Sequence, residues 1–143
     1  MGVAEWSAEA EGSPEKAAAI ILSPDGLKQW FQGVNRAEAE AGWPAKGTRM
    51  RWWVGSGDRW TFTALVTEDA RPLYVVTEVL TPSANSLITH RFDPLPGGRT
   101  RYTKRVQPRY NAAILRLFGP PFEFFLRRWV RAEVHRAAAL VRR

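Results

Sequence analysis

Apolar and polar positions alternate from Val3 to Ala10. Ala4, Trp6, Ala8 and Ala10 fall on one side, and Val3, Glu5, Ser7 and Glu9 on the other. A period of two is that of a strand with one covered face. Gly12 ends it, and Ser13-Pro14-Glu15-Lys16 predicts a helix start, with Ser13 as N-cap and Pro14 where its missing N–H costs nothing. Ala17 to Leu22 fill this short helix. Ser23-Pro24-Asp25 repeats the signal and opens a second one carrying Leu27, Trp30 and Phe31.

Beyond these helices the pattern turns to strands. Arg36 to Ala41 alternates charge with alanine, which suits a strand with a small inner face, although Ala and Glu alone would equally suit a helix. Lys46-Gly47 leads into Thr48–Val54, and Gly55-Ser56-Gly57-Asp58 reads as a hairpin loop returning along Arg59–Thr67. On that return strand Trp60, Phe62, Ala64 and Val66 share a face. A turn at Glu68–Pro72 precedes the β-branched stretch Leu73–Leu80. Pro82 to Asn85 connects to Ser86–Phe92, and the loop Asp93–Gly98 leads to the last strand, Arg99–Gln107.

The final third changes period. Gly119, Pro120 and Pro121 divide it, and from Pro121 onward no Gly or Pro interrupts a long helix. At about 100° per residue, Phe122, Phe125, Leu126, Trp129, Val130, Ala137 and Leu140 form one broad apolar stripe. Arg127, Arg128, Arg131, His135 and Arg142 lie opposite. Glu133 falls inside the stripe and Arg136 at its edge, so the Glu133 carboxylate must find a partner, stay wet or change its pKa. The order is strand, two short helices, about six further antiparallel strands and one long helix, an α+β arrangement in a single domain over residues 1–143. A sheet of six to seven strands curls, and the long helix fills its concave face. A pocket remains between them if Ala37, Ala39, Ala41 and Ala64 point inward.

Composition narrows the chemistry. The chain has 143 residues, 45% hydrophobic and 24% charged, which is ordinary for a globular domain. Seven Trp are not ordinary, and call for an aromatic core or an aromatic-lined cavity. With no cysteine, disulfides and thiolate catalysis are excluded. Two histidines far apart give no metal-ligand spacing, and no motif implies a cofactor. The segment Met1–Trp6 has neither basic nor apolar leader character, and no apolar run approaches a membrane span, so the expected location is the cytoplasm. A net charge of +7 raises the question of polyanions, but no nucleic-acid motif accompanies it. No nucleic-acid partner is expected. The Arg-rich helix face allows at most a weak contact with an anionic membrane surface.

The opening strand with Ser13-Pro14-Glu15-Lys16, the segment Ser23-Pro24-Asp25-Gly26-Leu27-Lys28-Gln29-Trp30, and Gly47-Thr48-Arg49 before a strand occur in a particular order. Phe92-Asp93-Pro94, Gly97-Gly98-Arg99-Thr100 and the long final helix follow. This ordered set resembles the START-like (SRPBCC) superfamily of helix-grip domains, in the branch of polyketide cyclase/dehydrase and lipid-transport proteins, over essentially the whole chain. The resemblance implies an antiparallel sheet wrapped round the C-terminal helix, an apolar cavity between them, and no fixed catalytic set. A small hydrophobic ligand (lipid, polyketide-like or aromatic) is the expected partner, for a monomer or homodimer. The alternative is a cyclase or dehydratase using acid/base groups in the same cavity.

Candidate catalytic groups are Glu133, His90 and Tyr102. Glu133 would orient a ligand or act as a general base, or else close an ion pair with an Arg. His90 shares a strand face with Ser86, Ile88 and Phe92, where a neutral imidazole shuttles protons or simply hydrogen-bonds within the core. Tyr102 shares a face with Thr100, Lys104 and Val106 and would donate to a ligand oxygen; the plain alternative is a strand whose Lys104 stem covers apolar surface while its head reaches water. The expected ligand-binding set is Trp52, Trp60, Phe62, His90, Tyr102, Phe125, Trp129 and Glu133.

Overall fold

The computed structural model describes residues 3–80, 85–109 and 112–142, with the side chains of 112–125 outside that description. Strand β1 (Ala4–Glu11) is followed by helices α1 (Pro14–Ile21) and α2 (Pro24–Trp30). Strands β2 (Val34–Ala39), β3 (Arg49–Val54), β4 (Trp60–Ala70), β5 (Tyr74–Leu80), β6 (Asn85–Leu95) and β7 (Arg99–Arg109) lead to helix α3 (Ala112–Leu140). All seven strands form one antiparallel sheet in the order β1-β7-β6-β5-β4-β3-β2. The order follows the chain through successive hairpins, except that β1 pairs with the last strand, Ala4 lying opposite Val106 and Glu11 opposite Arg99.

Both Ser-Pro pairs cap their helices. Ser13 Oγ accepts from the Lys16 N–H at 3.2 Å, and Ser23 Oγ accepts from the Gly26 N–H at 2.9 Å. Ser23 also donates to the Ile20 carbonyl at 2.8 Å, tying the start of α2 to the end of α1 in a tight corner. This corner brings the α2 backbone so close that a Cβ on Gly26 would sit 2.0 Å from the Ile20 oxygen. Only glycine fits there.

Several boundaries differ from the sequence expectation. Strand β4 runs on to Ala70, past Glu68, because a bulge between Val66 and Glu68 absorbs the extra residue. Strand β6 continues through Asp93 and Pro94 to Leu95. Strand β2 ends at Ala39, so Ala41 is exposed in the following turn rather than facing inward. The predicted connector at Pro82 and its neighbours 81–84 lies outside the described residues. Helix α3 begins at Ala112, not Pro121, and Gly119-Pro120-Pro121 lies within it. Prolines inside a helix withhold two backbone donors and kink it, but neighbouring turns carry the helix on when packing favours it.

The apolar stripe of α3 is also rotated from its expected position. Val130, Val134, Ala137 and Ala138 are buried, as is Val141 just past the helix end, whereas Trp129 is 59% exposed. The reason is the surface that α3 covers. Its most extensive contact is with β1, whose Ala4 and Ala10 are buried beneath it. Small side chains on both elements allow a close approach, and an indole at the centre of that seam would hold them apart. Trp129, about 100° round the helix from Val130, is displaced to the flank. The expectation that Trp129 belongs to the covered stripe is therefore corrected.

Candidate functional site

Between the inner face of the sheet, α2 and α3 lies a cavity of about 260 Å³. Phe31, at the end of α2, Trp52 on β3 and Phe62 on β4 form an aromatic box at one end. Trp52 and Phe62 stack at 5.5 Å and 6° between planes, and Phe31 meets both edge-on at 5.7 and 5.3 Å. The alternation that sends Trp52 inward sends Trp53 to the outer face, where Arg36 covers its ring at 3.8 Å. Met50 and Ala64 continue the floor, a cross-strand pair in register on β3 and β4.

The other end of the cavity is polar. His90 on β6 and Lys104 on β7 are cross-strand partners, and both are buried. His90 Nδ1 lies 2.7 Å from the Tyr102 hydroxyl. Tyr102 is fully buried, and its hydroxyl and His90 Nδ1 hydrogen-bond to each other. Burial, with the Lys104 charge as a second cause, lowers the His90 pKa to about 3, so the ring is neutral. Burial likewise holds the Tyr102 phenol well above its ordinary value, with the Glu133 carboxylate adding to the effect.

Lys104 does not reach water. Its Nζ donates to Glu133 Oε1 at 2.8 Å, with side-chain exposures of 4% and 12%, and sits 4.3 Å from the centre of the Trp30 ring. The expected Arg partner of Glu133 is thus replaced by Lys104, because the flank of α3 that carries Glu133 faces β7 across the cavity. Arg136 is engaged elsewhere: its Nε donates to the Trp30 carbonyl at 2.8 Å and ties α3 to α2.

Of the residues singled out in the sequence, Trp52, Phe62, His90, Trp129 and Glu133 meet at this cavity. Trp129 is at its rim. Tyr102 does not line it, and stands behind His90 stacked at 6.0 Å. Trp60 does not line it either. It shares the Phe62 face but opens β4 beyond the cover of the helices, 46% exposed, with Arg59 over its ring at 5.2 Å. The Phe125 side chain lies outside the described residues. Sequence reasoning missed Trp30, Phe31 and Trp43 as cavity residues, and missed the burial of Lys104. A signal existed: Lys104 and Glu133 are opposite charges, each out of place on an apolar face, on two surfaces predicted to meet. Among the described residues no cluster of three or more His, Asp or Glu side chains could ligate a metal ion. No helix there is long and apolar enough to cross a membrane.

A curled antiparallel sheet gripping a C-terminal helix, with an apolar cavity between them, defines a START-like helix-grip protein. Over residues 1–143 the sequence matches the family described as polyketide cyclase / dehydrase and lipid transport, and the chain belongs to that family. Solved structures with the same fold include protein CV1439 from Chromobacterium violaceum, at 16% identity and TM-score 0.70, covering 100% of this chain and 99% of that one. A START superfamily protein from Mycobacterium smegmatis aligns at 15% identity and TM-score 0.64, covering 99% and 100%. The Zhui aromatase/cyclase from Streptomyces sp. R1128 aligns at 17% identity and TM-score 0.69, covering 96% and 92%. No curated protein matches the chain.

Proposed function

We propose that the protein binds one small hydrophobic molecule in the cavity between sheet and α3, as a carrier rather than a catalyst. The observation that supports this reading is the state of the polar groups beside an otherwise apolar cavity. His90 is paired with Tyr102, and Lys104 with Glu133. A carrier needs shape and one or two orienting contacts rather than free acid/base groups. The test is saturable binding of the neutral dye Nile red, with native mass spectrometry of the freshly purified protein to detect a co-purified small molecule. Ala64→Phe, which fills the floor, should abolish dye binding while circular dichroism reports an intact fold. No saturable binding by the wild type would refute the reading.

A second reading, a cyclase or dehydratase, draws on the same four groups standing together, and on the family. A general base works best with a pKa near the working pH. His90, at about 3, is too weak a base for that role at neutral pH, and Glu133 is already held by a cation. If the cavity is nonetheless catalytic, Glu133→Gln should leave binding nearly intact and cut turnover by about 10²–10⁴-fold. In a carrier the same change should weaken binding modestly.

A further inference from the structure

Three tryptophans with buried or half-buried rings line the cavity, and two have their indole N–H satisfied. Trp30 Nε1 donates to the Ile21 carbonyl at 2.9 Å, and Trp43 Nε1 to the Leu22 carbonyl at 2.7 Å. Trp52 is different. It is 4% exposed, it lines the cavity, and its Nε1 has no hydrogen-bond partner. The ring is stacked on Phe62 and meets Phe31 edge-on, contacts it would lose by turning toward water. A buried donor left without an acceptor is destabilising. A ligand oxygen placed against Nε1 would recover that cost.

The opposite end sets the charge of the ligand. The Lys104 ammonium is neutralised by Glu133, and His90 is neutral at physiological pH. Among the described lining residues the one Lys or Arg is Lys104, already held by Glu133, so a carboxylate entering the cavity would be desolvated beside a second carboxylate. The volume sets the size. At about 260 Å³ the cavity exceeds the roughly 150 Å³ that holds a benzene, and falls just below the roughly 300–1,000 Å³ of sites for drug-sized molecules.

Resting on the reading that this cavity binds a small apolar molecule, we propose that it selects an uncharged ligand of about two-ring size bearing a carbonyl-type acceptor, which takes the free N–H of Trp52, and discriminates against carboxylates. Three matched probes test this: 2-acetylnaphthalene, 2-ethylnaphthalene and 2-naphthoate, titrated into the intact protein by calorimetry. The ketone should bind about tenfold tighter than the hydrocarbon, equivalent to about 1.4 kcal/mol. The naphthoate should bind more weakly than the ketone. In a ¹⁵N–¹H spectrum with the seven indole signals assigned, the Trp52 signal should move downfield with the ketone and not with the hydrocarbon. Trp52→Phe should bring the ketone-to-hydrocarbon ratio toward one, and if that variant does not fold the wild-type indole shift carries the test. Equal affinity for ketone and hydrocarbon with an unmoved Trp52 signal would overturn the hydrogen bond while leaving the cavity a binding site. Naphthoate binding as tightly as the ketone would overturn the charge selection. Failure of all three probes to bind would overturn the cavity reading itself.

Discussion

The contact between Lys104 and Glu133 lends itself to a thermodynamic cycle, using Lys104→Met, Glu133→Leu and the two combined. With side-chain exposures of 4% and 12%, both charges are largely out of water, so removing one strands the other. Breaking such a pair from one side costs about 3–5 kcal/mol, whereas replacing both partners by apolar groups of similar volume is often neutral. The two single variants should not be equal. Glu133→Leu leaves the ammonium over the Trp30 ring, 4.3 Å from its centre, a contact that retains about 1–2 kcal/mol when desolvated. Its loss should therefore lie near the low end, about 3 kcal/mol. Lys104→Met leaves a carboxylate with no other hydrogen bond among the described residues, and should lie higher, about 4–5 kcal/mol. The double variant should return to within about 1 kcal/mol of the wild type. The assay is equilibrium urea unfolding at pH 7 followed by circular dichroism, with the denaturant slope checked for constancy. Single losses below about 0.5 kcal/mol, the range of surface substitutions, would show that water reaches the pair. A double variant as unstable as the sum of the singles would refute the pairing itself.

Gly26→Ala sets helix propensity against space: alanine favours a helix by about 1 kcal/mol, but its Cβ would lie 2.0 Å from the Ile20 oxygen. The clash should win, with a net loss of at least about 1–3 kcal/mol in denaturant unfolding, and any gain in stability would contradict the tight corner. His90 predicts the acid limb of stability. Its folded pKa of about 3 lies below the ordinary 6.5, so between those values the unfolded chain takes up a proton that the native state does not, and stability falls as pH drops. The loss should be about 2 kcal/mol at pH 5, and His90→Gln should flatten this limb; parallel limbs would count against a buried neutral imidazole. Finally, Trp129→Ala should cost less than about 1 kcal/mol because the ring is exposed, while Val134→Ala, fully buried, should cost about 2 kcal/mol. The reverse ranking in urea midpoints would put the α3 stripe back where periodicity alone places it.

Element type and order were legible because each rested on a local cause. The Ser-Pro pairs name their own helix starts, and alternation names the strands. The face shared by Thr100, Tyr102, Lys104 and Val106 was likewise readable, since a period of two leaves no choice once the strand is assigned. What was not legible depends on the partner surface. The rotation of the α3 stripe by about one position follows from the alanines of β1, which no helical wheel contains. Trp60 and Phe62 are indistinguishable by alternation, and only the reach of the helices over β4 separates a cavity wall from an exposed ring. The helix start at Ala112 was hidden behind two prolines whose local penalty is real but not decisive. For the candidate site, the sequence showed two misplaced charges on separate elements. That they answer each other directly depends on where α3 lies against β7.

The pairing of β1 with β7 and its cover by α3 has a consequence for how the protein is made. Of the elements described, β1 is made before all the others, yet both surfaces that shelter it, β7 and α3, are made last. Until then, β1 offers a strand edge to anything that will pair with it, including a second nascent chain on the same polysome. The meander from β2 to β6 can zip as it emerges, because each strand pairs with the one just before it. Closure must wait until β7 and α3 have both been made and are free to pack. Its alanines and charged residues leave β1 a weak lure during that delay. The burial of Ala4 and Ala10 therefore serves two periods in the life of the chain: a close seam once α3 arrives, and little stickiness before it does.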